Sequence, residues 1–469
     1  MKIKNINMSL SIPTSQITSN LYQKIKQELI ISVGTTGEVI ELFDIEFERK
    51  SQEGELIHLP FAWARNNVLQ PLGPPPPMET SPVNDDRVFM GELRSEQEDV
   101  RNEAYKNLQE TGSTIISAKP GFGKTILAIE LICDLNVPTL ILVKQTTVVN
   151  QWIESIKKYA PKKRVTKMSS KTFGVESDIY IANPVLFKED NNVFFFQRHR
   201  LGVLQKIKFL VVDELHQVVS KKNHKAFFKV SPDYFLGLSA TPYRPENDPM
   251  VKSVNLFFGD RIVRTPFFKE HTVYIIKTNF SPVVKFNKFT KQLDWNHVLT
   301  SQATDIDRNI KIIECLKKNP DRIWLVLVKR VEHAKILHDL LKAENLQSSV
   351  LTGTTKEFDK TTKILIGTTC KIGTGFDHSP INSLIIASDC VEYFEQFLGR
   401  CMRTPSVKPI VVDFEDSFKP LVKHLNIRIA KYKACGGNII YENISLQEEN
   451  QKDLKPSIIL PKRLIKKNV

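Results

Sequence analysis

From Leu93 onward the chain alternates short apolar runs rich in β-branched residues with stretches whose apolar positions recur at helical spacing. That is the pattern of a parallel sheet covered by helices. One series of runs falls at 114–117, 139–143, 179–182, 209–212 and 235–238, and a second at 324–328, 349–351, 364–366, 384–387 and 410–412. A less regular stretch near 255–305 separates the two series. The pattern predicts an α/β protein with two similar lobes, in which ligands sit at the carboxyl ends of the strands. Residues 1–70 mix short apolar runs with polar stretches, Leu59 to Ala64 being the most apolar patch, and read as a small α+β module. Gly73 and the prolines at 74–77 favour extended polyproline geometry, so 71–90 is expected to be a linker, acting as a spacer or as a PxxP-like recognition ligand. The expected organisation is an N-terminal module with its linker at 1–90, a first lobe at 91–260, a connection at 261–305, a second lobe at 306–445 and a basic tail at 446–469.

Length and composition agree with this picture. A chain of 469 residues exceeds one hydrophobic core, and 41% hydrophobic with 25% charged residues is globular. A net charge of +14 suits a polyanionic partner, although an excess of solvated lysines gives the same total. The six cysteines are scattered with no Cys-x-x-Cys pair, which argues for free thiols and against zinc or an iron–sulfur cluster. No apolar run has the length of a membrane span and the N-terminus lacks a signal-peptide core, so a soluble intracellular protein without membrane contact is expected.

The candidate chemistry lies at the ends of the predicted strands. Ala118-Lys119-Pro120-Gly121-Phe122-Gly123-Lys124-Thr125 stands between an apolar run and a helical pattern, where glycines let backbone N–H groups and a helix N-terminus face phosphate oxygens. Lys124 would neutralise the β and γ oxygens and Thr125 would hold Mg²⁺. The buried run 209–212 delivers Asp213 and Glu214, the first suited to the same Mg²⁺ and the second to orienting or deprotonating an attacking water. Ser239, Ala240 and Thr241 end another run with hydroxyls that could bond to the carboxylate pair. In the second lobe Gln396, Arg400 and Arg403 are grouped, and the spacing of the arginines puts them on one helical face. They would either stabilise a γ-phosphate or bind backbone phosphates. Arg94 and Gln97 precede the phosphate loop by one helix, and a Gln can pair with an adenine edge. Trp152, at helical spacing, is read as core and not as a base-stacking platform.

The ordered series resembles the superfamily 2 helicases and translocases of the DExH type over residues 93–433. By that resemblance Arg94, Gln97 and the loop Lys119, Pro120, Gly121, Phe122, Gly123, Lys124 and Thr125 bind ATP, and Asp213, Glu214 and His216 form motif II. Ser239 to Thr241 form motif III, and Thr369, Gly373, Gly375 and Asp377 form motif V, with Gly375 and Asp377 near ATP. Gln396, Arg400 and Arg403 form motif VI. Catalysis would fall to Lys124, Asp213, Glu214, Gln396, Arg400 and Arg403, and Mg²⁺ to Thr125 and Asp213. Residues 144–152 resemble motif Ia with Lys144 in place of the usual Pro, Asn183-Pro184 sits where a Thr is common, and 351–354 resembles a backbone-binding turn of lobe two. The fold implied is two tandem RecA-like P-loop domains plus the N-terminal α+β module. Residues 237–244, Asp413, Arg428 and Tyr432 are similar to the XPB-like group, which includes the helicases of large DNA viruses: the poxvirus transcript-release helicase and its African swine fever virus and iridovirus relatives.

The resemblance implies a monomeric ATP-dependent motor on single-stranded or duplex DNA that moves 3′ to 5′, serving viral transcription, replication or repair in the host cytoplasm, nucleus or virion. An RNA helicase, a binding protein with a vestigial ATP site, and the motor of a restriction or remodelling complex are the rivals. Candidate backbone contacts are Lys157, Lys158, Lys162, Lys163, Arg164 and Lys167, with Lys462, Arg463, Lys466 and Lys467 in the tail.

Overall fold

The computed structural model describes residues 11–33, 38–47, 55–68, 89–169, 171–172, 175–187, 201–220, 223–230, 232–242, 251–265, 268–287, 291–353, 355, 357–373, 376, 378–391, 394–404 and 407–442. They fall into two compact units, Met1–Phe267 and Phe268–Val469. The linker expected at 71–90 lies almost wholly outside the described residues, as does the tail. Among the described residues no helix is long and apolar enough to cross a membrane, and all six cysteines are free thiols.

The first unit opens with β1 (Ser11–Pro13), β2 (Ile30–Val33), β3 (Glu38–Glu41), β4 (Asp44–Phe47) and β5 (Glu55–His58). β1 and β4 flank β5, and β2 pairs with β3, all antiparallel. The helix Phe61–Asn67 then buries Phe61, Ala62, Trp63 and Ala64. Phe61 stacks on Phe235 with ring centroids 5.0 Å apart, and Phe227, Phe257 and Phe258 close an aromatic cluster around them. The N-terminal residues therefore share one hydrophobic core with the first α/β layer, which corrects the expected boundary at residue 90. A module this small cannot bury so apolar a patch by itself, and the neighbouring sheet face supplies the cover.

That sheet contains β6 (Ser113–Ser117), β7 (Thr139–Leu142), β8 (Val165–Lys167), β9 (Ile179–Ala182), β10 (Phe209–Asp213), β11 (Tyr234–Ser239) and β12 (Ile262–Arg264). They pair in parallel in the order β12-β6-β11-β10-β7-β9-β8. Ile115, Leu140, Leu142, Leu210, Val212 and Phe235 join the core shared with the N-terminal residues, whereas Ile116, Ile141, Phe209, Val211 and Leu236 join a second core. Successive strand residues point to opposite faces, and covering both faces is why these runs are uninterruptedly apolar.

The second unit repeats the plan with β13 (His271–Lys277), β14 (Trp324–Val328), β15 (Ser349–Leu351), β16 (Ile364–Thr368), β17 (Ser383–Ile386), β18 (Ile410–Glu415) and β19 (Gly437–Glu442). Their parallel order is β15-β16-β14-β17-β18-β13-β19. Four strands escape the sequence pattern. β8 and β12 are three-residue edge strands, too short to print a periodicity. β13 and β19 are fixed by pairing distant in sequence, such as Thr272 with Ile410. The expected connection at 261–305 is corrected accordingly: β12 closes the first sheet and β13 lies inside the second.

Buried polar groups knit the second unit. His333 is fully buried between Ser388 and Asn309: its Nε2–H donates to Asn309 Oδ1 at 2.9 Å, and its Nδ1 accepts from the Ser388 hydroxyl at 3.0 Å. Burial, reinforced by the Arg308 charge, holds this imidazole down to about 3. The native state thus refuses a proton that the unfolded chain accepts near pH 6.5.

Phe61→Ala is expected to destabilise the first unit by about 3–5 kcal/mol, measured by urea unfolding of the full chain; an independent N-terminal module would leave that transition unmoved. The His333 contribution should be fully present above pH 6.5 and decline below it, costing about 2 kcal/mol by pH 5. Thermal melts of the wild type against His333→Gln between pH 5 and 8 check the sign, because only the wild type should carry that part of the slope.

Candidate active site

β11 lies between β6 and β10 and all three run the same way, so the loops after Ser117, Asp213 and Ser239 leave one edge of the first sheet. Ser117 stands beside Ser239 and Asp213 beside Leu238. The outer two strands are therefore about 10 Å apart, two strand spacings.

The loop after β6 turns through left-handed Gly121 (φ 79°) and Gly123 (φ 100°) into the helix Lys124–Leu135. Between the glycines the Phe122 ring is buried in the core, while its carbonyl accepts from Gln97 Nε2 at 2.6 Å and from Arg94 Nη2 at 2.9 Å. Gln97 also accepts the Arg94 backbone N–H at 2.9 Å, capping the helix Ser95–Thr111. Arg94 and Gln97 are thus brought against the loop and brace its peptide. Lys124 Nζ donates to the Ala118 carbonyl at 2.8 Å and the Lys119 carbonyl at 3.4 Å. Pro120 sits in the same turn, and Thr125 follows in the first turn of the helix.

At the end of β10, Asp213 is gripped on both oxygens. Oδ1 accepts the Glu214 backbone N–H at 2.9 Å, and Oδ2 accepts Nε1–H of Trp152 at 2.8 Å. Burial pushes the Asp213 carboxyl up to about 6, Glu214 pushes the same way, and the Trp152 bond and the Lys124 charge oppose them. Glu214 is a non-glycine residue at φ 47°, ψ 55°. Such a conformation costs about 1–3 kcal/mol and concentrates at functional sites. His216 is fully buried, and its Nδ1 meets Ser239 Oγ at 2.7 Å and Glu214 Oε2 at 3.5 Å. Ser239 Oγ in turn accepts the Thr241 N–H at 3.0 Å. The hydroxyl residues after β11 are therefore joined to the carboxylate pair through an imidazole.

Mg²⁺ takes hard oxygen ligands, and nucleoside phosphates take backbone N–H groups and a lysine. The Thr125 hydroxyl, the Asp213 carboxylate and the braced glycine turn are such a donor set, so the residues fit a Mg²⁺-nucleoside triphosphate.

In the second unit Gln396 is buried on the short helix Phe394–Leu398. Arg400 donates to the carbonyls of Phe376 and, at 3.1 Å, Gly373, so it touches the motif V-like segment at the end of the short helix Thr369–Gly373 and just beyond it. The helix stops at Leu398, before either arginine. Arg400 and Arg403 thus occupy a turn and its exit, not one helical face as their spacing suggested. Gly375 and Asp377 lie outside the described residues. A buried network holds the segment ahead of this helix: Arg428 donates to both Asp413 oxygens at 2.7 and 2.9 Å and to Asp389 at 3.0 Å. Tyr432 donates to Asp413 at 3.0 Å and packs edge-on against Phe394.

Among the candidate nucleic-acid contacts, Asn183 Nδ2 donates to the Lys144 carbonyl at 2.6 Å, joining the loops after β7 and β9. Thr352 is buried beside Thr355. Arg164 pairs with Asp178 at 3.1 Å, and Lys163 bonds Asn136, so these two cations are engaged by the chain itself. Sequence reasoning placed Trp152 in the core correctly but missed its bond to Asp213. A helical period shows that a side chain faces inward, not which polar atom it meets there.

Residues 90–244 match the family model described as "Type III restriction enzyme, res subunit". Over 458 residues the chain is 33% identical to "Putative helicase 161L" of Invertebrate iridescent virus 6, covering 92% of this chain and 98% of that protein. The chain belongs to the superfamily 2 helicases of large DNA viruses. The helicase is also 25% identical over 396 residues to "Putative ATP-dependent RNA helicase QP509L" of African swine fever virus (isolate Pig/Kenya/KEN-50/1950), covering 73% of each chain. Among solved structures it resembles S. cerevisiae Dbp5 bound to RNA and ADP BeF3, with a TM-score of 0.50 and 15% identity over 76% of this chain and 92% of that one. The fold is two RecA-like domains in tandem, as expected. Membership makes the helicase a nucleotide-hydrolysing enzyme of a family that uses ATP and acts on nucleic acid.

A Cβ placed on Gly123 would lie 2.4 Å from Gln97 Nε2, at a φ that only glycine adopts freely. Gly123→Ala is therefore expected to weaken binding of a fluorescent ADP analogue at least about tenfold, with a smaller loss of melting temperature; an unchanged affinity would show that the brace is not needed.

Proposed function

We propose that this helicase is an ATP-driven DNA translocase. The observation that carries the reading is the convergence at one sheet edge of the Lys124 loop, the Asp213–Glu214 pair and the His216–Ser239 link. On binding ATP, Lys124 exchanges the Ala118 and Lys119 carbonyls for phosphate oxygens, and the N–H groups of 121–125 close around them. Thr125 and Asp213 would hold Mg²⁺, which would supply positive charge to offset that of the triphosphate. Glu214 orients the attacking water and takes its proton. Gln396, Arg400 and Arg403 of the second unit are assigned to stabilising charge on a triphosphate, Arg400 giving up the carbonyls of Gly373 and Phe376 to do so.

Asp213 with Glu214 would then report the presence of the γ-phosphate through His216 and Ser239, and each cycle of hydrolysis would advance the strand. DNA is favoured by the likeness of 237–244, Asp413, Arg428 and Tyr432 to the XPB-like group. RNA is the second reading, favoured by the name of the African swine fever virus relative. The grip is on phosphates through the loops holding Lys144 and Asn183, so binding weakens steeply with salt. A monomeric motor in viral transcript release, replication or repair, moving 3′ to 5′, is the biological setting that this reading supports.

The test is ATP turnover with single-stranded DNA, duplex DNA and RNA. DNA should stimulate the wild type, and Glu214→Gln should lower turnover at least about 100-fold while nucleotide still binds. Stimulation by RNA alone moves the assignment to an RNA helicase, and stimulation by no polynucleotide removes the motor.

A further inference from the structure

Trp152 donates its only polar hydrogen to the one carboxylate that the nucleotide site takes from β10. Its indole is 1% exposed and sits in the middle of the helix Thr146–Tyr159, whose inward face is Val149, Trp152 and Ile156. A buried indole N–H needs an acceptor, and backbone carbonyls usually provide it. In this chain Trp324 follows that habit, donating to the Asn319 carbonyl, whereas the buried Trp63 donates to the Glu28 carboxylate, which lies away from the phosphate loop. Trp152 instead meets Asp213 Oδ2, while Oδ1 is held by the Glu214 N–H. Two donors from different elements on the two oxygens leave the carboxylate no freedom to rotate. One is local to the strand end, and the other is carried by a helix packed across the sheet face.

We propose that Trp152 is a positioning residue that orients Asp213 for Mg²⁺, so that the helix Thr146–Tyr159 sets the metal affinity of the ATP site. The proposal rests on the assignment of Asp213 as a Mg²⁺ ligand. Outer donors of this kind typically change metal affinity about 10- to 100-fold when removed, because they fix the ligand's direction. The helix is firmly placed at both ends of this contact. Its inward face is in the core, and the loop at its start gives the Lys144 carbonyl to Asn183. Asp213 inherits that placement through a single charge-assisted bond.

A purely structural tryptophan and a positioning one differ in what Mg²⁺ sees. Trp152→Phe keeps the ring in the core and removes only the N–H. The measurement is binding of a fluorescent ADP analogue to the full chain, titrated with Mg²⁺ and repeated in EDTA. Trp152→Phe should raise the Mg²⁺ concentration for half-maximal enhancement about tenfold, leave binding in EDTA unchanged, and add no further shift in an Asp213→Asn background. An unmoved Mg²⁺ midpoint, or an equal loss with and without Mg²⁺, overturns the proposal.

The assignment of Asp213 is tested separately by Asp213→Asn alone. If that change leaves the Mg²⁺ midpoint where it was, the metal-ligand assignment falls and Trp152 falls with it. A second measurement does not depend on the variant folding. In ¹⁵N-labelled wild type bound to ADP, the Trp152 indole resonance should shift on adding Mg²⁺, while those of Trp63 and Trp324, bonded to Glu28 and Asn319, stay in place. A Trp152 resonance that ignores Mg²⁺ also overturns the proposal.

Discussion

Parallel pairing of β11 with both β6 and β10 is the constraint from which the site of this helicase hangs. Parallel strands send their carboxyl ends to one edge, so the phosphate loop, the carboxylate pair and the hydroxyl loop must meet there. The pairing is held by covering both faces of the sheet with apolar side chains, and on one face the cover comes partly from residues before 70. The N-terminal segment is therefore part of what keeps that strand edge in register. Its contribution is made through Phe61 and the aromatic cluster around Phe235.

A second layer of interactions turns that placement into geometry. Phe122 buries its ring and offers its carbonyl to Arg94 and Gln97, so the glycine turn is held in position. Asp213 is held by a main-chain and an indole N–H, and His216 ties the strand end to Ser239. These braces are either neutral or charge-assisted hydrogen bonds made in burial, where each counts for more than it would in water. Pre-organisation of this kind is what a site that must stabilise developing charge requires.

The second unit solves the same problem with ions. Arg428 bridges Asp413 and Asp389, and Arg308 pairs with Asp416 in equally deep burial. Such pairs contribute little net stability compared with apolar packing, but breaking one leaves a buried charge uncompensated. Their placement is informative. Asp389 lies just ahead of the helix bearing Gln396, and Tyr432 packs on Phe394 at that helix's start, so the network fixes where the arginine-bearing turn begins.

Most of this architecture was legible in the amino-acid sequence, because a strand buried on both faces must be apolar throughout and a phosphate loop must have glycines where φ is positive. Those are local requirements: the run from Phe209 to Val212 meets the first, and Gly121 and Gly123 meet the second. The edge strands β8 and β12 were not legible because three residues print no periodicity, and β13, β19 and the fusion of the N-terminal residues with the first unit were not because each depends on a partner far along the chain. The turn that takes Arg400 and Arg403 off a common helical face belongs to the same class: their spacing allows a helix, and only the carbonyls of Phe376 and Gly373 show where Arg400 goes. Sequence determined which chemical groups this helicase owns and at which strand ends they emerge. Tertiary structure decided how they are aimed, because the bond from Trp152 to Asp213 joins residues whose proximity no periodicity records.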